Sequence, residues 1–194
     1  EELGRIEREY GIRVLLAVES GSRAWGFASP DSDYDVRFVY AHNRDWYISI
    51  GEPRDVIEEM LPGDLDVSGW ELRKTLRLFA KCNLALNEWL GSPIVYSETG
   101  PFREELACLV PQFFNPIAGI HHYRSMATRT FEENYANGVI GIKKLFFVLR
   151  PLLACRWISR KQSQPPTAFA ELVASKFVTP DEREWIAELL ARKA

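Results

Sequence analysis

The stretch from Gly21 to Phe38, GSRAWGFASPDSDYDVRF, decides how this chain reads. Asp33 to Tyr40 (DYDVRFVY) is rich in β-branched and aromatic residues, which predicts a strand. Residues two apart on a strand project to one face, so Asp33 and Asp35 are expected to point together. Two adjacent carboxylates repel and push one another's pKa up unless a cation sits between them. A hard divalent cation resolves that conflict, and Mg²⁺ takes one or two carboxylates plus phosphate oxygens. Upstream, Gly21-Ser22 breaks an apolar run and opens a short helical turn over Arg23 to Phe27. Such a turn can offer backbone N–H groups and a hydroxyl to a phosphate. Ten residues separate Ser22 from Asp33, enough chain to bring both parts around one triphosphate.

Working outward, Arg13 to Val18 (RVLLAV) reads as a buried strand. Residues 2–10 (ELGRIEREY) read as a short helix stopped by Gly11. Downstream, Asp55 to Glu59 predicts another strand, Pro62-Gly63 a turn and Leu65 to Val67 a returning strand. Trp70 to Lys81 carries Leu72, Leu76 and Phe79 at helical spacing. From Pro101 the strand signal fades and helices are expected near 101–109, 117–136, 138–158, 167–175 and 181–193. Pro151 should kink or split one of them, because it lacks an N–H to donate. Lys161 to Pro166 (KQSQPP) is the clearest loop. The order predicts an α+β core over residues 1–98 and an all-helical subdomain over 99–194.

Composition sets the class. The 194 residues are 46% hydrophobic and 26% charged, ordinary for a soluble globular protein. No apolar run approaches the roughly 20 residues of a membrane span, and no basic-then-apolar leader opens the sequence. Cys82, Cys108 and Cys155 lack metal-ligand spacing and sit among apolar residues, so buried reduced thiols in a cytoplasmic protein are expected. The net charge of −3 hides an asymmetry. Residues 1–120 carry 12 Lys and Arg against 20 Asp and Glu, whereas 121–161 carry 8 against 2. Carboxylates holding cations beside a basic segment meeting phosphates would produce this pattern.

A Gly-Ser pair, a ten-residue spacer and Asp-x-Asp on an apolar strand resemble the nucleotidyltransferases of the DNA polymerase β superfamily. The fuller string resembles one bacterial branch, the RlaP or YcgL-type family associated with RNA repair. DVSGWELRK (66–74), EWLGSPIVY (88–96), HYRSMA (122–127) and LRPLLACRWI (149–158) resemble that branch too, so the likeness covers most of the chain. It implies a polymerase β-like core of a short mixed sheet with helices. It implies Asp33 and Asp35 as ligands of catalytic Mg²⁺ or Mn²⁺, with a third carboxylate on a neighbouring strand. Asp66 matches that third position; Asp64 is the reserve and Glu71 a weaker option. The implied reaction is in-line attack of a hydroxyl on the α-phosphate of an NTP, supported by two metals about 3.5–4 Å apart.

Other residues keep two readings. Ser22 either contacts phosphate or caps the short helix, and Arg23 either reaches a phosphate or pairs with Glu19 or Asp31. Asp31 itself suits a turn former. Trp25 and Phe27 suit packing, or stacking on a base. Lys143, Phe147 and Arg150 share a helical face with Lys144 beside it. The resemblance makes Lys143 and Lys144 candidates to grip the β- and γ-phosphates, against a plain solvated basic face. Adjacent His121 and His122 diverge by about 100° on a helix and chelate poorly; His122 or Arg124 is the one to meet a phosphate if either acts. The acceptor implied by the resemblance is an RNA end. A protein side chain (AMPylation), a nucleotide-binding regulator without turnover, and a structural partner of an RNA ligase are the competing readings.

Overall fold

The computed structural model describes residues 1–51 and 54–193. Its centre is a five-stranded mixed sheet in the order β3-β4-β2-β1-β5. These strands are β1 (Ile12–Glu19), β2 (Tyr34–His42), β3 (Val56–Leu61), β4 (Leu65–Glu71) and β5 (Val95–Glu98). Every neighbouring pair is antiparallel except β2 with β4, which runs parallel. The crossover between those two carries a short helix, α3 (Arg44–Ile48), and then β3, which folds back on β4 through the Pro62-Gly63 turn.

Alternation divides the sheet's side chains between two layers. One face places Val14, Ala17, Val36, Phe38, Tyr40 and Val67 against Ile6 of α1 (Glu2–Tyr10). Gly11 closes that helix in the left-handed region, as expected of a C-terminal stop. Phe38 is fully buried, and its partner on β4 is Gly69. A Cβ at Gly69 would stand 2.2 Å from the Phe38 ring, so this glycine is what lets the ring lie across the neighbouring strand.

The opposite face brings Leu16, Val18 and Val39 to α4 (Leu72–Ala80), α5 (Leu84–Leu90) and α6 (Phe102–Phe113). The remaining helices are α2 (Gly21–Trp25), α7 (Pro116–Asn134), α8 (Ile142–Lys161), α9 (Phe169–Ala174) and α10 (Pro180–Lys193). The two parts of the chain share cores. Trp25 and Phe27 pack with Phe146, Leu153, Phe169 and Ile186, while Cys82 and Leu84 pack with Tyr123 and Ile158.

Three local expectations change. Helix α8 continues through Pro151 instead of being split there, with the proline buried. Strand β2 begins at Tyr34, which leaves Asp33 just upstream of it. Cys108 is exposed, unlike buried Cys82, because it lies on the outer side of α6; all three cysteines are free.

Candidate functional site

Asp35 lies on β2 and Asp66 on β4, and the parallel pairing sets them directly opposite one another. Both therefore share the face of Val39. Each carboxylate is about one-third exposed. Between them lies Arg37, which follows Asp35 by two residues and so projects from the same face. One of its guanidinium nitrogens, Nη2, donates to Asp35 Oδ1 at 3.0 Å and to Asp66 Oδ2 at 2.6 Å. Burial pushes the Asp35 carboxyl up from its ordinary range. The Arg37 charge opposes that rise, whereas Asp66, Glu19 and Asp33 add to it.

The Gly-Ser turn closes over Asp35. Gly21 has φ of 60°, and a Cβ there would stand 2.1 Å from Asp35 Oδ2. Glycine is required at this position by both backbone and space. The turn is pinned by Ser20 N–H donating to Asp35 O at 2.8 Å, and Asp35 N–H donates in turn to Glu19 Oε1 at 2.9 Å. Glu19 is fully buried, and its other oxygen accepts from Tyr96 Oη. Its carboxylate thus acts as a bracket behind the site. Ser22 is buried within α2, whose N-cap is Ser20. This removes the capping reading for Ser22.

Asp33 is exposed, and the loop that carries it is held by Arg23. The Arg23 guanidinium donates to Ser32 O at 2.8 Å and Asp33 O at 3.1 Å, and lies 3.8 Å over the Tyr34 ring. Arg23 is therefore tied to the backbone of this loop instead of pairing with Glu19 or Asp31. Two lysines of the helical half approach the same segment. Lys143 pairs with Asp31 at 3.6 Å, and Lys193 donates to Ser29 Oγ at 2.8 Å and to Phe27 O. Lys144 instead lies near the Phe147 ring. Burial and the neighbouring Lys143 lower the Lys193 pKa, while Asp31 opposes the shift.

The other acids have different surroundings. Asp64 is exposed in the turn before β4, with φ of 57°, and its carbonyl accepts from Tyr34 N–H. Glu71 is buried and caps α4, accepting from the N–H groups of Arg73 at 2.7 Å and Lys74 at 3.2 Å. Of the three acids considered as the partner of Asp35, the fold brings only Asp66 into register with it. His122 is half-buried beside Tyr123, and burial holds its pKa below the ordinary value.

The donor set consists of carboxylate oxygens, the chemistry that Mg²⁺ or Mn²⁺ prefers. In the present arrangement Arg37 supplies the positive charge those oxygens demand. Among the described residues no three acidic, His or Cys side chains converge closely enough to hold an ion. Asp35 and Asp66 fit such a cation in chemistry and in facing geometry, provided that Arg37 turns aside.

A glycine turn packed on one aspartate, with a second aspartate in register on a parallel strand, has the layout implied for a nucleotidyltransferase-like core. The chain belongs to the RNA repair pathway DNA polymerase beta family (RlaP), whose model matches residues 1–194. It is 50% identical over 193 residues to the uncharacterized protein YcgL of Bacillus subtilis (strain 168), covering 100% of this chain and 74% of that protein. A solved nucleotidyltransferase-like protein from Exiguobacterium sibiricum 255-15 aligns over 98% of this chain and 73% of its own, with 16% identity and a TM-score of 0.36. Class membership therefore rests on the sequence family. Among the described residues, no helix is long and apolar enough to cross a membrane.

Sequence reasoning singled out neither Arg37 nor Lys193. Arg37 was in plain view, two residues past Asp35 on the same predicted face. Lys193 lies 166 residues from its acceptor Phe27, and no local signal marks it.

Proposed function

We propose that this protein transfers a nucleoside monophosphate from an NTP to a hydroxyl group, with an RNA end as the acceptor. The observation that carries this reading is the facing pair Asp35 and Asp66 beneath the Gly21-Ser22 turn. Family membership supports the reaction class, and the family's RNA-repair association supports the acceptor.

Asp35 and Asp66 would hold Mg²⁺ or Mn²⁺ once Arg37 turns aside, and Asp33 would have to swing in from the loop before β2 to join them. A pair of such ions would supply Lewis-acid stabilisation of the attacking and leaving oxygens. The chain's own groups do the rest. Gly21 and Ser22 approach the triphosphate, with Lys143 and Lys193 countering its negative charge from the helical side. Arg23 fixes the loop that carries Asp33. The acceptor oxygen forms a bond to the α-phosphorus as the α–β bridging P–O bond breaks, and pyrophosphate leaves with the electron pair. Asp66 takes the acceptor's proton on its carboxylate.

The test is incubation with each of the four NTPs labelled at the α-phosphate, together with RNA and Mg²⁺ or Mn²⁺. Label is expected in RNA, and D33A/D35A should abolish the transfer. Label in protein instead would redirect the acceptor to a side-chain hydroxyl. Label in neither, across all four nucleotides, would refute the transferase reading in favour of a nucleotide-binding protein without turnover.

A further inference from the structure

Strands β2 and β4 run parallel, so their C-terminal ends, His42 and Glu71, lie together at the edge of the sheet remote from Asp35 and Asp66. Tyr40 is five residues from Asp35 along β2, or about 16 Å at the rise of an extended strand. A cavity of about 390 Å³ opens at that end, walled by Trp46, Arg54, Asp55, Glu71, Arg73 and Arg77.

The charges lining it are unequal once their partners are assigned. Glu71 is satisfied by the two N–H groups it caps and by Tyr47 Oη at 2.7 Å. Asp55 is paired with Lys74 Nζ at 3.0 Å. Among the described residues Arg54 meets the exposed Glu58, at 3.2 Å. Neither Arg73 nor Arg77 has a carboxylate partner among the described residues, and the two are four residues apart on one face of α4. Among the described residues the cavity therefore carries three guanidinium forks, two of them without a carboxylate partner.

The aromatic wall is braced. His42 stacks on Trp46 with centroids 4.3 Å apart and planes 12° apart. The Arg73 guanidinium lies 5.1 Å from the Trp46 ring centre and 4.8 Å from that of Tyr47. Tyr40 is fully buried, and its hydroxyl has no partner among the described residues. Burial holds that hydroxyl protonated, reinforced by Glu71 and Asp55, two of the residues lining the cavity.

We propose that this cavity binds a phosphate group of a nucleotide, carried either by a free mononucleotide or by the end of an RNA strand. Guanidinium forks match phosphate oxygens in pairs, which a lysine surface does not. A cation is disfavoured because three guanidinium groups wall the cavity, Asp55 is already paired with Lys74 and the Glu71 oxygens are taken up by hydrogen bonds. The site is separate from the carboxylates and requires no divalent ion, so it stands whether or not the transferase reading holds.

The experiment is a binding titration in EDTA, read by the change in tryptophan fluorescence, with W46F identifying the part due to Trp46. The ligands are AMP and a short single-stranded oligoribonucleotide with a terminal phosphate. Saturation by AMP identifies a free nucleotide as the ligand, and saturation by the strand alone identifies an RNA end. R73A/R77A should weaken binding about tenfold or more. It should also reduce the slope of log affinity against log salt for the strand by about 0.7, the increment for the one phosphate the cavity holds. R73K/R77K should keep most of that slope while losing affinity, because charge remains and the fork is gone. D33A/D35A should bind within twofold of wild type. Unchanged binding in R73A/R77A, loss of binding in D33A/D35A, or no Trp46 signal with either ligand would overturn the proposal.

Discussion

Replacing Arg150 with methionine tests how the helical half is fastened to the sheet. The Arg150 side chain is wholly buried and Glu88 nearly so, with Nη1 and Oε1 2.7 Å apart. Glu88 also accepts from Tyr123 Oη at 2.7 Å and Trp25 Nε1 at 3.0 Å, so four separate segments meet on one carboxylate. The guanidinium continues to Thr167 O at 3.3 Å and lies 4.5 Å from the Trp25 ring centre. R150M strands the Glu88 charge in a buried site, and removal of one partner of a buried pair costs about 3–5 kcal/mol. Among the described residues Arg150 Nε has no acceptor, which places the cost toward the lower part of that range. At about 2–4 °C per kcal/mol for a chain of this size, the melting midpoint should fall by roughly 6–20 °C. E88Q should cost a similar amount. The double variant E88Q/R150M should lose well under the sum of the two, because neither charge is then left alone. Urea unfolding followed by tryptophan fluorescence measures all three. A loss below about 1 kcal/mol for R150M, or strict additivity of the pair, would refute the reasoning.

Three further outcomes follow from the geometry. G21A should lose about 1–2 kcal/mol from the left-handed backbone alone and displace the Asp35 carboxylate as well; urea unfolding of G21A matching wild type would contradict this. R37M should lower the melting temperature in EDTA by removing the shared counter-ion of Asp35 and Asp66, and millimolar Mn²⁺ should narrow the gap by replacing the lost charge. Equal Mn²⁺ shifts in both proteins would count against a cation site there. Glu182 is held down to about 2, first by the Arg156 side chain and then by Thr179 N–H. A carboxylate depressed in the folded state contributes stability present above its unfolded pKa, near 4.5, and lost as pH falls toward 2. NMR titration should find that low value and its return toward the ordinary range in R156A; an ordinary value in wild type would show that the α8–α10 pair does not form.

Local pattern carried much of the fold. Gly11, the apolar run of β1, the Pro62-Gly63 turn and the helical periodicities after Pro101 are set by residues within one turn or one strand of each other. Two elements escaped that reading for physical reasons. Six of the seven residues of α5 are buried, so it has no polar face to reveal a period. Strand β5 is only four residues long and lies at the sheet edge with Val95 and Tyr96 exposed, so it shows no alternation.

The chemistry of the candidate site divides along the same line. Asp35 and Arg37 must share a face because strand geometry demands it, and Gly21 is legible as a break in an apolar run. Which acid meets Asp35 was open among Asp66, Asp64 and Glu71 until the parallel pairing of β2 with β4 fixed the register. Arg150 read as part of a basic helical face, yet packing buries it on Glu88, and Lys193 reaches Phe27 from the far end of the chain. Backbone geometry repeats over a few residues and is written locally, whereas register, burial and charge pairing depend on which distant segments pack together. Those were decided by the tertiary structure alone.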